Sequence, residues 1–223
     1  GQSQRDIEGL TLGGFAADLS AVVDAAGLDN FALLTMAHGC PVAFEYLSSN
    51  PDRVDRLVLY GSSATGWRHP DWGEATERTE AIMAVARLGR DADAPTFRRL
   101  TVNAILPDPT SADAAWLDDY LRRTISARAS VQLVEAISGY DFREKLRTYD
   151  MPALVLHATD DVAIPIAHGR RVAEAMPNSS FHEVSSRNHI LTQTDEHCRE
   201  TLRMIAGFLS GGLSPCAEAN LQP

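Results

Sequence analysis

An acidic turn and a histidine, each following a predicted strand, are the parts of this 223-residue chain best suited to acid–base chemistry. Asp160 and Asp161 follow the apolar run 154–158, and His189 comes shortly after the strand-like stretch 179–184. An aspartate that orients a histidine lets the imidazole accept a proton from a nucleophile and stabilises the resulting cation. The spacing therefore predicts an acid–base pair formed by one of the two aspartates and His189.

A possible nucleophile position lies earlier, in residues 35–39, which read TMAHG. They follow the apolar run 31–34 and precede a helix-like segment that begins near Cys40. In a G-x-S-x-G elbow, a strained strand-to-helix turn projects the central serine into a cleft. Here Ala37 occupies the centre, Thr35 replaces the first glycine and Gly39 keeps the last. The pattern is that of an elbow without its hydroxyl.

These three positions occur in the order nucleophile, acid, histidine, and each follows the C-terminal end of a predicted strand, where open parallel sheets place their sites. From residue 1 to about 209 the chain resembles the α/β-hydrolase superfamily, most of all bacterial members whose relatives also occur fused to transcriptional regulators or cyclases. The resemblance is carried by residues 29–34, 51–61 and 186–191.

By position, the resemblance places Ala37 at the nucleophile, Asp161 at the acid and His189 at the base. Asp160 fits less well, because the family's acid lies three residues after the small residue that closes the strand, here Ala158. The backbone amide of His38 would be one donor to an oxyanion. The second donor normally comes from a loop after the third strand, which the resemblance places upstream of residue 1.

The resemblance also implies that residues 1–3 correspond to the loop after the fourth strand of the fold. We therefore expect a partial α/β-hydrolase fold: a mostly parallel sheet with helices on both faces, and with one edge left open. An open edge presents unpaired backbone groups. The chain would be a fragment, or a homo-oligomer or the chain's own tail would cover that edge.

Alternating strand and helix patterns predict an α/β core formed by residues 1–63 and 149–210. The strands are expected at 31–36, 54–59, 151–157 and 180–184, and the first is expected to be covered on both faces. The helices of this core are expected near 12–27, 41–49, 166–175 and 196–209. Residues 64–148 show only helical patterns, at 74–88, 96–105, 112–124 and 131–137, which predicts an inserted helical cap. Residues 211–223 are expected to form a flexible tail.

Composition restricts the partners. Thirty acidic against 20 basic residues give a net charge of −10, which disfavours binding to nucleic acid or to an anionic membrane. No apolar run is long enough to span a bilayer. Three widely spaced cysteines favour a reduced, cytoplasmic setting. We expect a small-molecule substrate or ligand, and neither a cofactor nor a metal.

Several residues allow two interpretations. Cys40 is either a substitute nucleophile or, as we favour, a small buried residue. Three tryptophans in the predicted cap either line a cleft or pack the cap on the core, and we favour packing. The remaining histidines of the second half show no metal-ligand spacing and are expected to be incidental: His157, His168, His182 and His197.

Ala37 itself has two interpretations. It is either an engineered replacement of a serine or the mark of a naturally decayed enzyme. Intact Asp161 and His189 favour the first, whereas Thr35 and Cys40 favour the second. The expected function is a hydrolase of a carboxylic ester or related acyl compound that is inactive as written. The alternative is a non-catalytic ligand-binding or regulatory protein.

Overall fold

Four parallel strands form the centre of the protein in a computed structural model that describes residues 9–88 and 95–211. They are β1 (Phe31–Met36), β2 (Val54–Tyr60), β3 (Ala153–Ala158) and β4 (Ser179–Val184). Their spatial order follows the chain, and Met36 of β1 lies opposite Tyr60 of β2. Parallel neighbours require a crossover between each pair. The predicted strands and the parallel α/β class are confirmed.

Helices precede, connect and follow the four strands. They are α1 (Leu12–Ala25), α2 (Gly39–Ser49), α3 (Glu74–Leu88), α4 (Pro95–Ile105), α5 (Ser111–Thr124), α6 (Ala127–Ala136), α7 (Arg143–Leu146), α8 (Ile166–Ala175) and α9 (Cys198–Leu209). One core joins the sheet to α2 and α8 through Phe44, Leu57 and Val172, and α1 packs against its edge. A second core joins the opposite face to α9 through Val58 and Phe208. In the described ranges no helix has the length and apolar character that crossing a membrane requires.

The segment between β2 and β3 contains helices α3 to α7. Four of them were predicted, although α6 begins at Ala127 rather than at 131. The fifth, α7, was missed because four residues are too few to show a helical period. An antiparallel bridge between Thr65 and Asp141 brings the ends of the segment together. The division into core and cap stays a prediction, and residues 1–3 and 212–223 lie outside the described residues.

The prediction that β1 is covered on both faces is wrong. Along β1, partly buried residues alternate with exposed ones, and Leu34 and Met36 are 45% and 38% exposed. The other face of the strand packs against the core that contains α2. On the exposed side, α9 packs over β2, β3 and β4 but leaves β1 uncovered. Within the described sheet β1 is an edge strand. Whether a second copy of the chain covers it stays a prediction.

Candidate active site

The turn between β1 and α2 holds Ala37 in the left-handed region, with φ 50°. Apart from glycines, Ala37 is the only residue with a positive φ in the described ranges. Its N–H donates to the carbonyl of Tyr60 at 2.9 Å, and its own carbonyl accepts from the N–H of Cys40 at 3.0 Å. An L-residue in this conformation costs about 1–2 kcal/mol. The backbone therefore has the strained shape that the elbow pattern predicts.

The amide of His38 stands at the first turn of α2. Helix α2 begins at Gly39, immediately after His38. No acceptor for the His38 N–H occurs among residues 9–88 and 95–211. Unpaired N–H groups at a helix N-terminus favour a negatively charged ligand atom. The position is consistent with an oxyanion donor, and that role stays a prediction.

Asp161 and His189 are in direct contact. Nδ1 of His189 lies 2.7 Å from Oδ2 of Asp161, and both residues are buried. Because an ionised carboxylate can only accept, Nδ1 carries the proton and donates it. Nε2 of the neutral ring is then left as a proton acceptor. The structure brings together the acid and base that the resemblance implies, in the geometry that general-base catalysis uses.

The carboxylate of Asp161 is held from two sides. Its Oδ1 accepts the backbone N–H groups of Ala163 and Ile164 at 2.8 and 2.9 Å. Burial alone would raise the pKa of Asp161, but hydrogen bonds from His157, His189 and backbone amides outweigh it and lower the pKa. Asp161 is therefore ionised at neutral pH. Asp160 is exposed and points its carboxylate towards Thr159 instead.

His157 is a site residue that the sequence analysis classed as incidental, and that interpretation is wrong. Its ring is fully buried, with Nε2 2.8 Å from the carbonyl of Ile164 and 3.4 Å from Oδ2 of Asp161. Its Nδ1 has no partner among the described residues and faces Gly169. A signal was available, because a histidine inside a buried strand needs a polar partner. The acidic turn four residues later supplies it.

Gly61 connects the elbow to the histidine. It directly follows Tyr60, whose carbonyl accepts the Ala37 N–H, and it has φ 62°. A Cβ atom on Gly61 would stand 2.9 Å from Cε1 of His189. The ring of His189 therefore rests on a residue without a side chain. Two consecutive residues therefore link the two parts of the site. Tyr60, the last residue of β2, contacts the elbow, and Gly61 contacts the base.

We call residues 187–194 the histidine loop, and its first half is bonded to the segment between β2 and β3. The N–H of His189 donates to the carbonyl of Ile105 at 2.8 Å. Oδ1 of Asn188 accepts the N–H of Asp108 at 3.3 Å. Nη1 of Arg187 lies 3.0 and 3.1 Å from the two carboxylate oxygens of Asp108. The end of α4 and the residues after it thus contact three consecutive residues of the loop.

The second half of the histidine loop is bonded to α5. Asp113 of α5 accepts hydrogen bonds from the hydroxyls of Thr110, at 2.7 Å, and Thr194. These bonds, that of Thr194 first, lower the pKa of Asp113. Ile190 packs against an apolar cluster that includes Leu106. The sequence analysis did not predict these contacts, since residues more than 80 positions apart carry no pattern that links them.

Cys40 and two of the tryptophans are buried, as the packing interpretation predicts. The thiol of Cys40 is fully buried and lies 3.8 Å from the carbonyl of Tyr60. Burial raises the pKa of Cys40 to about 12, so the thiolate is scarce at neutral pH. Trp67 and Trp72 are buried in one cluster, and their indole N–H groups donate to backbone carbonyls. Trp116 on α5 is 54% exposed.

Known proteins with similar sequences identify the family to which this architecture corresponds. A family model described as alpha/beta hydrolase fold matches residues 1–192. A putative carbamate hydrolase from a Caulobacter species is 25% identical over 206 residues, covering 90% of this chain and 73% of the relative. A 2-hydroxy-6-oxononadienedioate/2-hydroxy-6-oxononatrienedioate hydrolase from Paraburkholderia phymatum is 24% identical over 197 residues, covering 86% and 66%. The chain thus spans about two thirds to three quarters of the length of these relatives.

Solved structures of other proteins have a similar fold. A bromoperoxidase from Bacillus anthracis superposes with a TM-score of 0.81 at 23% identity, covering 94% of this chain and 78% of that one. An esterase from Rhodococcus superposes with a TM-score of 0.71 at 24% identity, covering 88% and 71%. These likenesses concern the fold. With the family model matching most of its length, the chain belongs to the alpha/beta hydrolase fold family.

Proposed function

We propose that this chain carries the acid–base half of a Ser-Asp-His hydrolase site, with Ala37 at the nucleophile position. The observations that support it are the left-handed backbone of Ala37 and the buried Asp161–His189 pair. Relatives named as a putative carbamate hydrolase and an esterase suggest acyl substrates, and we propose a carboxylic ester or related acyl compound. The chain as it stands is inactive, because its site has no hydroxyl.

The proposed chemistry follows from the geometry. A hydroxyl at position 37 would lose its proton to Nε2 of His189, while Asp161 stabilises the imidazolium. The N–H of His38 would donate to the oxyanion that forms on the attacked carbonyl. Without the nucleophile the turnover of a triad enzyme falls by about a millionfold. We therefore propose that no acyl-enzyme forms on this chain.

The substitution Ala37→Ser tests the proposal. We expect hydrolysis of 4-nitrophenyl acetate to rise at least about a thousandfold, a part of the roughly millionfold difference that a triad nucleophile makes. A fluorophosphonate should increase the mass of the variant by that of one phosphonyl group, and it should leave the mass of the unaltered chain unchanged. The control is Ala37→Ser combined with His189→Ala, which should lose both responses. A folded Ala37→Ser variant that neither turns over nor labels contradicts the proposal.

A second candidate is a non-catalytic protein that binds a small ligand. The observation in its favour is the contact between Thr35 and Cys40, in which Oγ1 and Sγ lie 3.4 Å apart, because Thr35 stands where the elbow pattern has its first glycine. In this case Ala37→Ser stays inactive, and the unaltered chain binds an apolar small molecule such as 1-naphthol in a calorimetric titration. Ala37→Leu, which fills the space at the elbow, should then abolish the binding.

A further inference from the structure

A cavity of about 140 Å³ opens between α7, α8 and the residues that follow β2. Its wall carries Arg143 and Arg147 at α7 and Arg171 on α8, together with the carboxylate of Asp71 and the ring of His168. None of the residues proposed to act at the elbow lines it. The cavity is thus a separate concave surface with three guanidinium groups and one carboxylate.

This concentration of positive charge is unusual for the chain. The protein has 30 acidic and 20 basic residues, so a surface region taken at random is expected to be acidic. Arg143 and Arg147 are four positions apart, a spacing at which like charges repel. Three arginines against one aspartate leave the lining with an excess of positive charge, and a concave surface with such an excess attracts counter-ions. The wall therefore favours an anion.

The existing ion pairs leave donors available. Arg143 is paired closely with Asp141, at 2.6 Å, but Arg171 reaches Asp71 only at 3.3 Å. Arg147 comes no nearer to Glu144 than 4.0 Å, and its side chain is 68% exposed. Exposed pairs of this kind contribute at most about 1 kcal/mol. An oxyanion that enters the cavity can therefore compete for these guanidinium groups.

The imidazole of His168 in the cavity wall is uncharged. Its Nδ1 lies 3.1 Å from the hydroxyl oxygen of Ser63, and its ring lies 4.5 Å from the ring of Trp72. Burial, and after it the charge of Arg171, lowers the pKa of His168 to about 4, so the imidazole is neutral at pH 7. The positive charge of the cavity comes from its arginines, which stay protonated at every accessible pH.

We propose that this cavity binds the phosphate or carboxylate group of a small anionic ligand, with Arg143, Arg147 and Arg171 as its partners. Guanidinium forks match the geometry of both oxyanions and form charge-assisted hydrogen bonds with them. The volume suits one such group. The proposal does not depend on the function of the elbow, because it concerns binding by different residues.

Calorimetric titration of the full chain with inorganic phosphate, and separately with malonate, tests the proposal at constant ionic strength. Saturable binding of either anion is expected, and the stronger one identifies the preferred group. Arg147→Ala and Arg171→Ala should each weaken binding about tenfold, since a hydrogen bond to a charged group contributes about 1.5–3 kcal/mol. Circular dichroism confirms that each variant is folded, and Arg147 is exposed enough for its removal to leave the fold intact.

The matched control is Arg170→Ala. Arg170 is the neighbour of Arg171 on α8, its side chain is 50% exposed against 52%, and it pairs with Glu183 on β4 instead of lining the cavity. Its removal should change the affinity less than twofold. The proposal is wrong if neither anion binds at millimolar concentration, or if Arg170→Ala weakens binding as much as Arg171→Ala.

Discussion

The backbone N–H of His189 donates to the carbonyl oxygen of Ile105 at 2.8 Å, so the base of the candidate site is bonded to the last residue of α4. The last carbonyls of a helix have no partner inside the helix and need one elsewhere. Here one of them is paired with the residue whose ring contacts Asp161. The position of the helical segment and the position of the imidazole are therefore coupled.

The first prediction concerns Asp113, which ties α5 to the histidine loop. Asp113→Ala removes a buried acceptor and leaves the hydroxyls of Thr110 and Thr194 without it. We expect a loss of about 1–3 kcal/mol in the free energy of unfolding. Amide exchange at His189 should also become faster. Chemical denaturation and exchange measured by mass spectrometry report the two effects.

Asp108→Ala serves as the comparison for Asp113→Ala. The Asp108 carboxylate and Arg187 are both more than half exposed, so this ion pair contributes at most about 1 kcal/mol. If Asp108→Ala destabilises the chain as much as Asp113→Ala does, the buried hydroxyl network is not what holds the loop.

The second prediction uses two glycines with similar positive φ angles. Gly61 has φ 62° and lies against His189, whereas Gly27 has φ 65° and a Cβ atom added to it would meet no other atom within 4 Å. Gly27→Ala should cost about 1 kcal/mol, the penalty for alanine in the left-handed region. Gly61→Ala should cost a further 1–3 kcal/mol or so, because its methyl group collides with the imidazole. Thermal and urea unfolding measure both.

A double-mutant cycle isolates the collision. In a His189→Ala background the ring is gone, so Gly61→Ala should cost no more than Gly27→Ala does. An undiminished cost of Gly61→Ala in that background would show that the ring of His189 does not rest on this glycine.

The third prediction concerns acid stability. The folded chain lowers the pKa of Asp161 below its value in the unfolded chain. The stability that results is fully present above the unfolded pKa of about 3.9, and it is lost as the pH falls towards the lower folded value. Asp161→Asn should therefore lose stability at neutral pH and show a flatter decline below about pH 4. Asp160→Asn, a change at an exposed neighbour, should keep the slope of the unaltered chain.

The fourth prediction concerns Cys40. Its thiol is fully buried, and burial raises its pKa to about 12. In a chain with Cys198→Ser and Cys216→Ser, iodoacetamide at pH 8 should leave Cys40 unmodified in the native state and label it in urea. Rapid native labelling would support Cys40 as a substitute nucleophile and contradict the packing interpretation.

Much of the fold could be predicted from sequence because β1, β2 and β3 contain short apolar runs and strand patterns alternate with helical ones. The predicted bounds of β1 and α8 agree with the structure at both ends, and most other ends fall within two residues of prediction. The coverage of β1 could not be predicted, because a run such as FALLTM is apolar whether or not its second face has a neighbour. That depends on how far α9 extends across the sheet.

Some features of the candidate site could likewise be predicted from the sequence, and others could not. Asp161 and His189 could be found because each follows a strand, and parallel strands bring their C-terminal ends to one edge of the sheet. For His157 the sequence indicates only that a histidine inside a buried strand needs a polar partner, because its contact with Asp161 depends on where the turn after β3 places the carboxylate. The bond from Ile105 to His189 joins backbone atoms, so no side-chain pattern marks it.

The left-handed turn at position 37 has an evolutionary consequence. Glycine adopts this conformation without the penalty that alanine bears, so Ala37→Gly should stabilise the chain by about 1 kcal/mol. Alanine codons differ by a single nucleotide from codons of glycine and from codons of serine. The change to glycine would relieve the backbone strain. The change to serine would place a hydroxyl on a backbone that already has the elbow conformation. While position 37 is alanine in this strained conformation, a single nucleotide change is enough to introduce a nucleophilic serine there.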